Sequence, residues 1–210
     1  MANEIEAKIA LLNEQEMLAL ETRLAREIKG VPIILLQNNR VYGAPWMQGE
    51  EFVRIRFERE PRGSWHRLDW FSVTYKGQNV GQTVNSREEI EFDMNKYHAE
   101  RFEEFLKAMR FELYSNYYTR RTEFSYHGYD PVNICTDTIN KSCQLYGDDK
   151  NFVEDIGKEG ALYFVEIEAR TEAKVLSELK RLGVQDRPIV KESYANIFAG
   201  VKENGIYDDR

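Results

Sequence analysis

Only two cysteines, Cys135 and Cys143, and three histidines, His66, His98 and His127, occur among 210 residues. Two thiols could pair but cannot build a disulfide framework, and no C-x-x-C is present. The histidines are scattered and form no H-E-x-x-H, which argues against an imidazole-based zinc site. No apolar run approaches the ~20 residues that cross a bilayer. Near the start there is neither a basic stretch nor an apolar core of the signal-peptide kind. A soluble, cytoplasmic chain without a membrane partner is therefore expected. Positive charge is also short, with 29 Lys and Arg against 36 Asp and Glu, a formal net charge of −7. A chain of that sign repels nucleic acid in bulk, so duplex binding is not expected, although a local basic pocket remains compatible with it.

What the chain does contain is enough apolar material for a core, 42% of residues, in a length that suits one compact domain. We place that domain over 1–203, with 204–210 as a frayed tail. Helical periodicity marks 15–29, 96–109 and 172–182, with a short helix over 193–199. Asn13 and Thr171 are placed to cap the first and third, and Gly30 and Gly183 to stop them. Met17, Leu20, Leu24 and Ile28 form the apolar face of the first helix. Tyr97, Phe102, Phe105, Leu106 and Met109 form the expected inner face of the second. Alternating runs mark strands over 5–10, 33–37, 52–58, 72–75, 88–93, 117–126, 133–139 and 162–169. Many strands with few helices between them predict an α+β chain around an antiparallel sheet, open or closed into a barrel. The expected loops are 43–49, 59–69 and 147–160.

One short motif recurs. Glu-Ile-Glu stands at 4–6, at 89–91 and at 166–168, each time on an expected strand that leads into an expected helix. Residues i and i+2 of a strand share a face, roughly 6–7 Å apart, while the isoleucine between them points to the other face, toward a core. Two carboxylates so placed can hold a cation, and their oxygens suit hard ions such as Mg²⁺ and Mn²⁺. A single copy is equally an amphipathic strand wetting one face. Three copies of a poor strand former point to a demand for it.

Basic residues show the same spacing. Arg54 and Arg56 share one face of their strand, Lys76 ends the next, Arg87 precedes Glu89 and Glu91 in step, and Lys8 shares a face with Glu4 and Glu6. Arg120 and Arg121 lie within an aromatic strand. Neighbouring strands could simply exchange surface ion pairs, each worth ~0–1 kcal/mol. Recurrence on most strands fits better with the lining of a tunnel. Arginine matches phosphate oxygens in pairs and lysine acts as a point charge, so a triphosphate is the ligand class that these charges suit.

The ordered set resembles the CYTH superfamily, the triphosphate tunnel metalloenzymes, which includes class IV adenylyl cyclases, thiamine triphosphatases and inorganic triphosphatases. Its opening E-x-E-x-K looks like Glu4-Ile5-Glu6-Ala7-Lys8, its R-x-R strand like Arg54-Ile55-Arg56, and its T-Y-K-G segment like Thr74-Tyr75-Lys76-Gly77. Its R-x-E-x-E strand looks like Arg87 to Glu91, its late aspartate like Asp137, and its closing E-x-E like Glu166-Ile167-Glu168. A lysine-serine-tyrosine element resembles Lys191-Glu192-Ser193-Tyr194 with one residue inserted. The K-x-R strand departs, since Thr119 stands where lysine would, and only Arg121 carries over.

The resemblance spans nearly the whole chain and implies an eight-stranded antiparallel β-barrel with flanking helices. It implies phosphate contacts from Arg54, Arg56, Lys76, Arg87, Arg121 and Lys191. It implies Mg²⁺ or Mn²⁺, two ions, on Glu4, Glu6, Glu89, Glu91, Asp137, Glu166 and Glu168, with Glu4, Glu6 and Lys8 closest to the chemistry. Metal-dependent hydrolysis of an inorganic, thiamine or nucleoside triphosphate is the first expectation. Cyclisation of ATP to cyclic AMP and pyrophosphate, or binding of a nucleotide or polyphosphate without turnover, are the alternatives. A monomer and a homodimer are both compatible with the sequence.

Overall fold

All eight expected strands form, and they close on themselves. The computed structural model describes residues 3–28, 31–47, 50–60, 70–126, 131–140, 156 and 160–199, and the side chains of Asn3, Glu4 and Ala199 lie outside that description. So do Gly30, Trp65, Cys143, most of 59–69 and 147–160, and the tail over 204–210. The strands are β1 (Asn3–Leu11), β2 (Ile33–Gly43), β3 (Phe52–Arg59), β4 (Trp70–Lys76), β5 (Asn85–Met94), β6 (Glu112–Tyr126), β7 (Val132–Asn140) and β8 (Leu162–Ala169). They form a closed barrel in the order β1-β5-β4-β3-β2-β6-β7-β8, every pair antiparallel. Closure leaves no sheet edge unpaired.

Four helices are described: α1 (Glu14–Glu27), α2 (Lys96–Ala108), α3 (Glu172–Leu182) and α4 (Tyr194–Ala199). Asn13 and Thr171 cap as expected, through Oδ1 to the Glu16 amide and Oγ1 to the Lys174 amide. Gly183 ends α3 at φ 73°, a left-handed turn that any Cβ would strain. Each strand carrying Glu-Ile-Glu does run into a helix. α1 and α3 cover the outside of β1, β7 and β8, where Ala7, Ile9, Ile134, Val165 and Ile167 pack with Met17, Leu24, Val175 and Leu179. This is the main apolar core, and it lies outside the barrel.

The second helix corrects the sequence reading. α2 lays Ala99 and Leu106 inward, with Phe102 beside them, against Val73, Tyr75 and Phe71 of β4. Tyr97, Phe105 and Met109 stand 62%, 54% and 48% exposed. Ile90, expected in a core, is also about half exposed. It does point away from the lumen, but one helix covers only part of the outer surface of β4 and β5. β2 is longer than expected, and its second half, through Val41 and Tyr42, is buried.

α4 covers one mouth. Its Tyr194 and Ala195 pack with Val41, Phe52, Tyr117, Ile139 and Phe164, side chains from five strands that face the lumen there.

Candidate active site

Alternation along eight closed strands sends one face of each to the lumen, and here that face is charged. A cavity of about 250 Å³ runs through it. Six cations line it: Lys8 from β1, Arg54 and Arg56 from β3, Lys76 from β4, Arg87 from β5 and Arg121 from β6. Glu6, Glu89, Glu91, Glu166 and Glu168 line it as well. Eleven of the residues singled out in the sequence thus share one cavity, drawn from six strands.

Register explains which of them meet. Glu6 lies opposite Glu168 and Lys8 opposite Glu166 in the β1–β8 ladder, and Lys8 Nζ is 3.6 Å from Glu166 Oε1. Lys76 lies opposite Glu89, their side chains 3.4 Å apart. Arg54 lies opposite Thr74, whose Oγ1 accepts from Arg54 Nη2 at 3.1 Å and donates to Glu91 Oε2 at 2.5 Å. Asn85, fully buried, donates to Glu6 Oε1 at 3.3 Å and is itself held by Asn79. Glu4 pairs by backbone with Arg87, and its side chain lies outside the described part.

Asp137, fully buried, adjoins the cavity. Arg121 donates to both of its oxygens, at 2.8 and 2.6 Å, and also to Glu166. Tyr194 Oη donates to Asp137 Oδ2 at 2.9 Å, and Lys8 Nζ sits 4.1 Å over the Tyr194 ring. Burial works against a charge on Glu166, but Arg121, Lys8 and Lys76 outweigh it and hold that carboxyl at about 2. Burial and the Glu166 charge push Asp137 up. Burial would lower Arg121, yet Asp137 and Glu166 drive it well above its ordinary value, so it is permanently a cation.

A sign follows for Glu166. Its folded pKa lies below the ordinary value of 4.5, so its ionic contribution is complete above that pH and is lost as pH falls toward about 2. In chelator, the stability gap between the wild type and Glu166→Gln should therefore shrink, on the order of 2–3 kcal/mol, between pH 6 and pH 2.5. Chemical denaturation at stepped pH measures it, and a gap independent of pH would mean that Glu166 is not the ionised partner of Arg121.

One predicted residue lies elsewhere. Lys191 is outside the cavity, with Nζ donating to the Thr83 carbonyl at 2.9 Å. The irregular segment before α4 has no period-two facing, and it brings Ser193 and Tyr194 to the lumen instead. Arg120 turns outward to Glu21, 3.6 Å away, so Thr119 and Arg121 are the lumen pair of that strand. The sequence reading missed Gln37, Asn39 and Glu123. Glu123 stands two residues beyond Arg121 on the same face, a signal that was there to use, and burial raises its pKa. Gln37 and Asn39 carry no charge to draw attention to their alternation.

Arg87 differs from the other cations. It is 3% exposed, and its Nε and Nη1 have no hydrogen-bond partner among the described residues. Among the described residues its ion pairing is a long contact of 3.8 Å to Glu50. A buried guanidinium with idle donors costs free energy unless something satisfies them.

No family model matches the sequence, and no curated protein matches it. Solved structures do match. The PH1819 protein of Pyrococcus horikoshii OT3 is 19% identical, with 94% of this chain and 98% of that chain covered at a TM-score of 0.65. A Hippeastrum protein, described as an adenylyl cyclase candidate with a dominant triphosphatase activity, is 16% identical, with 97% of each chain covered at 0.56. A Mimivirus capping-enzyme triphosphatase is 12% identical, with 86% of this chain and 88% of that one covered at 0.51. The chain has the triphosphate-tunnel fold. The tunnel's charged lumen is built from residues whose facing β-alternation dictates. The described helices include none long and apolar enough to cross a membrane.

Proposed function

We propose that this protein hydrolyses a triphosphate inside the barrel, with the help of a divalent metal ion. The observation that carries the reading is the convergence of six enclosed cations on one cavity, Arg87 among them with buried donors unspent. The fold it shares with triphosphatases supports the same reading.

The described lumen carboxylates can hold a metal only together with other ligands. Among the described residues no three of them gather closely enough to cage an ion alone. Mg²⁺ does not require that, because it is commonly held by one or two carboxylates together with water and substrate phosphate oxygens. Glu6 and Glu168, facing each other across β1 and β8, suit that arrangement, with Glu4 next in step along β1. Mg²⁺ or Mn²⁺ bound there would neutralise phosphate charge and make water more acidic.

The remaining roles belong to the chain's own side chains. Arg54, Arg56 and Arg87 offer guanidinium donors to phosphate oxygens, and Lys76 adds a point charge, as does Arg121, whose Nε and Nη2 are engaged by Asp137 and Glu166. Lys8 is held by Glu166, by the Glu192 carbonyl at 3.1 Å and by the Tyr194 ring, so its ammonium is fixed to meet charge developing on the phosphate chain. Lys8, Arg54 and Arg87 are buried from bulk water, which strengthens their contacts.

The test is an incubation of inorganic, thiamine and nucleoside triphosphates with Mg²⁺ or Mn²⁺. Released orthophosphate that disappears with chelator and returns with added metal is the expected result. Cyclic AMP and pyrophosphate from ATP would replace hydrolysis by cyclisation. Tight binding with no product from any of them would leave a binding module.

A further inference from the structure

Arg56 lies among like charges. Burial and the neighbouring Arg54 and Arg121 charges depress its pKa, while Glu58 works the other way. Three guanidiniums crowding one lumen repel each other, so something must hold Arg56 in place when no anion is present. Asn39, its register partner on β2, accepts from Arg56 Nε at 2.9 Å. Glu58, two residues along on the same face of β3, presents Oε1 3.6 Å from Arg56 Nη1.

Glu58 is itself held on both sides. It is 8% exposed. Gln37, its register partner on β2, donates Nε2 to Oε1 at 2.5 Å. Trp70, its register partner on β4, donates indole Nε1 to Oε2 at 2.6 Å. Each oxygen thus takes one neutral donor fixed by a sheet ladder. A metal ligand would have its oxygens turned to the ion rather than to an indole and an amide.

Resting on the tunnel reading above, we propose that Glu58, clamped by Gln37 and Trp70, is the positioning residue that aims the Arg56 guanidinium at the triphosphate. It touches no substrate. It fixes the angle of a group that does, and a planar, bidentate donor is sensitive to angle.

The experiment is a double-mutant cycle on Arg56→Ala and Glu58→Gln, read as KM and kcat for tripolyphosphate with Mg²⁺, with denaturation curves for all four proteins. Glu58→Gln alone should raise KM about tenfold and leave kcat within about threefold. Arg56→Ala should lower kcat/KM about 100-fold. In the Arg56→Ala background, Glu58→Gln should cost less than about twofold more, because its target is gone. Trp70→Phe, which keeps the carboxylate and loosens it, should move KM in the same direction as Glu58→Gln, by a smaller factor.

Losses that multiply in the double variant would show that Glu58 acts independently of Arg56 and would overturn the proposal, whatever the denaturation curves show. An Arg56→Ala variant with wild-type kcat/KM would overturn it as well, while leaving the tunnel reading intact. A wild-type protein that neither binds nor turns over tripolyphosphate would bring down the tunnel reading first and this inference with it.

Discussion

Arg121→Ala should destabilise the protein more than any other single change at the site, by about 3–5 kcal/mol, the range for removing one partner of a buried ion pair. Arg121 donates to Asp137 and to Glu166 at once, and Asp137 is fully buried. Without it, two carboxylates remain in an enclosed lumen with Lys8 and Lys76 as the nearest compensation. For a chain of this size the midpoint of thermal unfolding should fall by about 10 °C. The deficit carries a pH signature. Losing Arg121 should raise the folded pKa of both carboxyls relative to the wild type, so the penalty is greatest at neutral pH and is relieved as they protonate in acid. Thermal scans in chelator at pH 7.5 and pH 4.5 should show the gap to wild type narrowing at the lower pH. A gap of under ~1 kcal/mol at both would mean that the lumen is wet enough to solvate the pair.

Arg87→Met should have the opposite balance, with activity lost and stability kept. The guanidinium is buried, its Nε and Nη1 have no partner among the described residues, and Glu50 is 3.8 Å from Nη2. Removing a charge that the fold does not satisfy should leave stability unchanged or raise it by about 1 kcal/mol. Removing a charge that the ligand satisfies should lower kcat/KM for the triphosphate by at least about 100-fold, since hydrogen bonds to charged groups are worth ~1.5–3 kcal/mol each and two are at stake. Turnover assays and denaturation of the same preparation separate the two effects. A variant with full activity and lowered stability would assign Arg87 to the Glu50 ion pair and remove it from the site.

These two arginines show where sequence and structure part company. Both are visible in the chain as basic residues on alternating strands, and nothing local distinguishes them. The difference is in what each meets across the lumen. Arg121 faces Asp137 in the β6–β7 ladder, a partner sixteen residues away, and Glu166 from β8. Arg87 faces the backbone of Glu4 and finds its side-chain donors idle. Glu58 makes the same point. In the sequence it is one more acid at the end of a strand, and its role follows only from Gln37 and Trp70 lying opposite it on separate strands.

The apolar residues of α2 show the limit in another way. Ala99, Phe102 and Leu106 follow one another at spacings of three and four and share the face that meets β4. Tyr97, nine residues before Leu106, lies about half a turn round from it and is exposed, so the expected inner face was drawn too wide. Lys191 failed for a related reason. A non-repeating segment has no periodicity from which to read direction, and only its packing over the barrel mouth turned Tyr194 inward and Lys191 away.

By itself the sequence determined the eight strands, the charged face of most of them and the caps of α1 and α3, because alternation, helical period and capping chemistry are local and each residue carries its share of the signal. It also determined that acids and bases would share those faces. The closing of the strands into one lumen, the pairs of charges that neutralise each other and the Arg87 guanidinium left with donors to spare were decided by tertiary structure. Coulomb energy and hydrogen-bond geometry depend on distances of a few ångströms between strands far apart in the chain, and those distances exist only once the barrel has closed.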